Sequence, residues 1–190
     1  MAGKKILLAQ NSAFIANRLP RAAKALKEAN YDVDILNWNR GVNSSVIEAA
    51  TENFKKEGIT VHSIYCGNTP YGKGIITIVN KLLFIIKVIL FLCKSGQQYK
   101  VVHAIDFDLG LPVFLAKLIN PKLKYKIIYD IADFVETFHS PIPIFVRKII
   151  KSISEKIMKS AEIIIIPDQN RFRNIPKALH EKTIIINNSI

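Results

Sequence analysis

The chain has 190 residues, 49% apolar and 22% charged, with 8 Gly and 8 Pro. It can bury one substantial core, is too apolar for disorder, and is too poor in Gly and Pro for a collagen-like or low-complexity architecture. Twenty-seven Lys and Arg against fifteen Asp and Glu leave a net charge of +12, which favours anionic partners: nucleic acid, phospholipid headgroups or phosphate-bearing substrates.

Taken in order, short apolar runs alternate with longer helical patterns. The opening, Met1 to Phe14, has only four consecutive apolar residues, Ile6–Ala9, before Gln10 and Asn11. A secretory core needs about 7–15, so no signal peptide is expected. Strands are predicted at Lys5–Ala9, Val33–Asn37, Thr60–Tyr65, Val101–Ala104, Lys126–Ile131, Ile163–Pro167 and Thr183–Asn187. Helical patterns fall between them at Leu19–Ala29, Ser45–Glu57, Ile75–Lys94, Leu111–Ile119 and Pro143–Ser160, with a further short helix between Asn170 and Leu179. Ile163–Ile166 and Ile184–Ile186 are unbroken apolar runs, the pattern of strands covered on both faces. The expectation is one α/β Rossmann-like domain over residues 1–190, a doubly wound, mostly parallel sheet of about seven strands with helices on both faces. Cys66 and Cys93 lie far apart without CxxC spacing, so reduced thiols in a cytoplasmic protein are expected rather than a disulfide scaffold or zinc ribbon.

In such a fold, ligands bind beyond the carboxyl ends of the strands, where strand order reverses. The turn after the first strand, Gln10-Asn11-Ser12-Ala13, contains no glycine, which disfavours a dinucleotide fingerprint; GxxxxGK[ST], GxSxG and HExxH are also absent. Acids are unevenly spread. Five of the fifteen, Asp106, Asp108, Asp130, Asp133 and Glu136, fall within residues 101–136. All five stand at or just after the carboxyl ends of two predicted strands. They read either as a polar site that binds hydroxyls or moves a proton, or as helix caps and loop solvation. His103, inside Val101–Ala104, reads as a buried, hydrogen-bonded histidine. His139 lies too loosely spaced from Asp133 and Glu136 to indicate a metal site, and none is assigned. Nucleic acid is not expected as a partner, because a single Trp and no basic–aromatic interleaving accompany the charge.

Several short segments together resemble the N-terminal, acceptor-binding domain of GT-B-fold glycosyltransferases of the family 4 (group 1) type. The opening Lys5-Ile-Leu-Leu-Ala, then Asn17-Arg18-Leu19-Pro20-Arg21-Ala22, then Leu26 to Ile35, is similar to that family's first strand, helix and strand. Val101-Val102-His103-Ala104-Ile105-Asp106 resembles "V-V-H-A-H-D", and Tyr129-Asp130-Ile131-Ala132-Asp133 with Glu136 resembles "Y-D-x-H-E-x-x-E". Glu155 with Ala161-Glu162-Ile163-Ile164 resembles "E…A-D-x-V-I", and Thr183 to Asn188 resembles the strand and turn leading to the second domain. Ile105 and Ala132 stand where the family usually has histidine, and Asn30 replaces a glycine.

The resemblance implies transfer of a sugar from a nucleotide sugar to a saccharide or lipid-linked acceptor, as in polysaccharide biosynthesis. It also implies retention at the anomeric carbon, with no metal and no cofactor beyond the donor substrate. Asp106 is the candidate for orienting or deprotonating the acceptor hydroxyl. Asp130, Asp133 and Glu136 would bind hydroxyls on the adjoining rim, His103 would support the loop, and Gln10, Asn11 and Ser12 would line the opposite wall. The donor-binding domain that the family carries lies outside these 190 residues, and further chain or a partner chain is expected to supply it. A non-catalytic Rossmann-like module that binds a membrane or a partner protein is the alternative.

Ile75–Leu92 holds fourteen apolar residues. On a helical projection, Lys73, Thr77, Asn80, Lys81, Lys87 and Lys94 share one sector of roughly 140° with Phe84, Val88 and Phe91, and the rest is almost wholly apolar. Two outcomes are open. Either this is a core helix with its apolar side on the sheet and one wet stripe, or Ile75–Lys94 lies on an anionic membrane surface with its lysines reaching phosphates. Residues 73–100 carry five lysines and no acid, which favours a peripheral place at the inner face of the membrane.

Overall fold

The computed structural model describes residues 5–11, 18–41, 44–68, 74–134 and 143–187. They form β1 (Lys5–Gln10), α1 (Arg18–Glu28), β2 (Asp32–Asn39), α2 (Ser44–Lys56), β3 (Thr60–Tyr65), α3 (Gly74–Ser95), β4 (Val101–Ile105), α4 (Asp106–Ile119), β5 (Lys126–Asp130), α5 (Ile144–Ser160), β6 (Ile163–Ile166) and β7 (Thr183–Ile185). The short helix expected before β7 is two 3-10 turns, Gln169–Asn174 and Lys177–Lys182. The seven strands form one parallel sheet in the order β3-β2-β1-β4-β5-β6-β7. The α/β, doubly wound Rossmann-like reading therefore holds.

Alternate residues of each strand feed two cores, because successive side chains point to opposite faces. Ile6, Leu8, Val33 and Ile35 pack with Leu19 and Ala23 of α1 and Phe54 of α2. Leu7, Ala9, Leu36, Trp38, Val102 and Tyr129 pack on the other face with α3, α4 and α5. The left-handed residue that ends α1 is Asn30, at φ 61. Asn30 and Tyr31 donate backbone bonds to Lys27 and Leu26, so asparagine fills the role glycine usually takes.

Two local expectations are corrected. Helix α4 begins at Asp106, five residues before the predicted Leu111, and carries Pro112 in its interior. Asp106 and Asp108 occupy its first turn, where negative charge suits the helix dipole. Helix α3 is turned the other way round from a core helix with a wet stripe. The middle of its polar sector faces the protein: Phe84 stacks on Trp38 at 4.9 Å between ring centroids, Val88 and Leu92 are fully buried, and Lys81 reaches Asp108. Lys87, expected to reach lipid phosphate, donates to the Tyr65 carbonyl at 2.7 Å. Ile76, Val79, Leu82, Leu83, Ile86 and Leu90 face outward.

Candidate functional site

Strand order reverses between β1 and β4, so the crevice beyond their carboxyl ends is where this topology places a ligand. β1 delivers Gln10 and Asn11 there, and β4 leads directly into Asp106. Asp106 adopts φ 61, a left-handed conformation that Asp and Asn tolerate better than most side chains. Its Oδ1 accepts the backbone N–H groups of Ala132 at 2.9 Å and Asp133 at 3.2 Å. One carboxylate thus clamps the loop leaving β5 to the start of α4. Burial pushes the Asp106 pKa up to about 6. The two backbone N–H groups pull it down, and the nearby Asp130 and Asp133 carboxylates add to the rise.

A second polar network closes the β1 side of the edge. Asn11 Nδ2 donates to Asp108 Oδ2, Arg40 Nη2 donates to Asn11 Oδ1 at 3.0 Å, and Lys81 Nζ lies 2.6 Å from Asp108 Oδ1. Arg40 follows β2, is buried, and lies 4.1 Å from the centroid of the Trp38 ring. Two cations therefore bracket an amide and a carboxylate. At the end of β1, Gln10 Oε1 is buried without a hydrogen-bond partner among the described residues. Such an atom costs about 1–3 kcal/mol unless a ligand or water meets it.

The other predicted residues divide by depth. Asp130 is 3% exposed, below the rim, with His103 Nε2 at 3.2 Å from its Oδ2. Asp133 is exposed and takes Arg171 Nη2 at 3.3 Å; Arg171 Nε also binds Asp168 at 3.2 Å, tethering the turn after β6 to the rim. Ser12 and Glu136 lie outside the described residues, as does His139. Among the described residues, no group of three or more His, Cys, Asp or Glu is arranged to hold a metal ion.

Sequence reasoning counted Asp108 among the clustered acids but gave it no role, and it missed Arg40 and Lys81. Arg40 carries little signal as one arginine after a strand. Lys81 was visible only as part of a polar stripe that helical periodicity cannot aim.

No family model matches the chain, and no curated protein matches it. Solved structures match over nearly its whole length. Anabaena Alr3699/HepE in complex with UDP-glucose is 14% identical with a TM-score of 0.59 over 98% of this chain and 44% of that one. LpCGTa in complex with UDP is 9% identical, TM-score 0.65, over 99% and 53%. Glycyrrhiza uralensis UGT73P12, complexed with glycyrrhetinic acid 3-O-monoglucuronide, is 10% identical, TM-score 0.62, over 99% and 49%. The chain thus spans about half the length of the structures it matches. At these identities the likeness is one of fold alone.

Proposed function

We propose that this chain is the acceptor-side domain of a GT-B glycosyltransferase of the group 1 type, which transfers a sugar from a nucleotide sugar to a saccharide or lipid-linked acceptor. The observation that carries the reading is the Asp106 carboxylate at the switch-point edge. Its Oδ1 is fixed by two backbone N–H groups, while Oδ2 makes no hydrogen bond among the described residues. A carboxyl with a pKa of about 6 is largely ionised at neutral pH yet basic enough to take a proton. In the proposed step the acceptor oxygen bonds to the anomeric carbon, its proton passes to Asp106 Oδ2, and the nucleotide leaves with the electron pair of the broken bond. The protein's share is positioning and charge stabilisation. Gln10 Oε1 and the Arg40–Asn11–Asp108–Lys81 network would hold hydroxyls along the β1 wall, and Asp133 along the other. The thiols of Cys66 and Cys93 are unpaired, which suits the proposed cytoplasmic location.

The test is an NMR titration of the 15N-labelled chain with UDP-glucose and, separately, with a panel of oligosaccharides. Saccharides are expected to shift the amides of Gln10, Asn11, Asp106 and Ala132. UDP-glucose is expected to bind more weakly than about 10 μM, or about −7 kcal/mol, because the donor pocket of this fold belongs to the other domain. Tighter UDP-glucose binding at the same edge would make this the donor half. A panel in which no saccharide moves those amides removes the acceptor assignment.

A further inference from the structure

We infer that the outer surface of the α3–α4–α5 layer docks on an anionic lipid bilayer, with α3 lying in the plane of the interface. The helical stretch Ile76–Gln98 is apolar and long enough to cross a membrane by composition and length, with a mean hydropathy of 2.3 over its most apolar eighteen residues. Yet the helix is anchored along one side: Phe84 stacks on Trp38, Val88 and Leu92 are fully buried, and Lys81 is paired with Asp108. It therefore lies along the domain instead of leaving it to span. The opposite side carries Val79, Leu82, Leu83, Ile86 and Leu90, all exposed, Leu82 and Leu90 by 56% and 62%. A run of that extent is unusual on a surface that meets only water.

Charge selects the occupant. Exposed Lys94 stands beside the apolar stripe, and Lys87, though bonded to the Tyr65 carbonyl, keeps its exposed charge at the stripe's flank. On α5, which shares this face of the sheet, the outward side mixes exposed Ile144, Phe145 and Ile149 with exposed Lys148, Lys151, Lys156 and Lys159. The acids of the three helices are Asp106 and Asp108, which look to the crevice, and the half-buried Glu155. A second copy of the chain would set these lysines against their own kind across a two-fold interface. Anionic headgroups meet them with the opposite sign, while the stripe enters the acyl boundary. All three helices start at the carboxyl edge of the sheet, so the docked face would bring the crevice to the lipid surface. That last consequence rests on the acceptor reading; the docking itself does not.

Flotation of the chain with vesicles of phosphatidylcholine alone, and of phosphatidylcholine with phosphatidylglycerol, tests it. We expect partition onto the mixed vesicles at least tenfold above the neutral ones, reduced several-fold but not abolished by added salt. Leu82→Ser, Ile86→Ser and Leu90→Ser combined should cut that partition at least tenfold while leaving the circular dichroism spectrum intact. Should the triple variant fail to fold, Leu90→Trp serves instead: its emission should be quenched by brominated lipid acyl chains, beyond any signal from buried Trp38. Equal partition of the folded triple variant, no partition at low salt, or a stable dimer whose formation excludes vesicles would overturn the proposal. Saccharide titration is independent of all these readouts, so the two proposals fail separately.

Discussion

Lys81 of α3 lies 2.6 Å from Asp108 at the first turn of α4, and this pair fixes which side of the most apolar helix looks inward. With Lys81 turned to the crevice, the apolar sector has nowhere to face but out. Asp108 is the less exposed partner, and it also accepts Asn11 Nδ2, so the two ends of the pair are unequal. Asp108→Ala should cost about 1–3 kcal/mol, because it strips Asn11 and Lys81 of an acceptor at once. Lys81→Ala should cost no more than about 1 kcal/mol, as half-exposed ion pairs do. Urea denaturation of the two single variants and the double variant measures this. A Lys81→Ala loss equal to that of Asp108→Ala would mean the lysine, not the amide network, holds the edge together.

Asp106 offers two substitutions that separate charge from clamp. Asp106→Asn keeps an Oδ1 acceptor for Ala132 and Asp133 and tolerates the left-handed backbone, so the fold should survive. Asp106→Ala loses both bonds at a residue with φ 61 and should be destabilised by about 2–4 kcal/mol. Because folding raises this pKa from 3.8 to about 6, the folded state holds the proton more tightly. Its contribution to stability is full below about pH 4, falls as pH rises towards 6, and stays lost above that. Asp106→Asn should erase that fall in a series of melts from pH 3.5 to 7. In an enzyme that includes a donor-binding domain, the same variant should lower turnover; unchanged turnover would remove Asp106 from the chemistry.

The sheet was legible because each strand holds a short cluster of apolar residues between longer helical patterns, although Ile184–Ile186, expected to be covered on both faces, lies exposed at the β7 edge of the sheet. Even the missing glycine at Asn30 left a residue able to reach positive φ. The carboxyl-edge acids were legible too, since strand ends could be read from the same runs. Depth was not: Asp130 and Asp133 differ by three residues, yet one is buried against His103 and the other pairs in the open with Arg171. The direction of α3 was equally hidden. A projection gives two faces of a helix, and hydrophobicity alone assigns the apolar one to the core; only the partners of Lys81 and Phe84 reverse that. The start of α4 was missed because Gly110 and Pro112 interrupt its pattern.

Gly110 shows why that interruption is tolerated. A Cβ built there would meet Cε2 of Tyr129 at 2.6 Å and Cδ2 at 3.1 Å, and Tyr129 is itself buried. In an open helix Gly→Ala gains up to about 1 kcal/mol. Here overpacking, worth about 1–3 kcal/mol, should outweigh it. Gly110→Ala should therefore lower the denaturation midpoint with little change in slope, and a raised midpoint would show that α4 does not sit this close to β5.

Far from the crevice, near the amino edge of the sheet, Asp34 collects three donors on one oxygen. Lys5 Nζ lies at 2.9 Å, His62 Nε2 at 3.0 Å and the Tyr99 hydroxyl at 2.8 Å from its Oδ2, and the residue is 2% exposed. Burial by itself would push this carboxyl up; the bonds from His62, Lys5 and Tyr99, with the Lys5 charge, override it and hold the pKa below 3.8. A carboxyl depressed by folding stabilises above its unfolded pKa, and that contribution drains away as pH falls through the folded value. The ionised cluster should thus be intact at pH 5–7 and fail only below about pH 4. Asp34→Ala leaves a partly exposed lysine and a buried hydroxyl without their acceptor and should cost about 2–4 kcal/mol at pH 7. Its stability should also fall less steeply than that of the parent chain between pH 4 and 2. Asp34→Asn, which keeps an acceptor of the same shape, should lose less at pH 7 while showing the same flattened acid limb. Thermal melts of the three chains across that range decide the matter: parallel acid limbs would show that folding does not depress the Asp34 pKa.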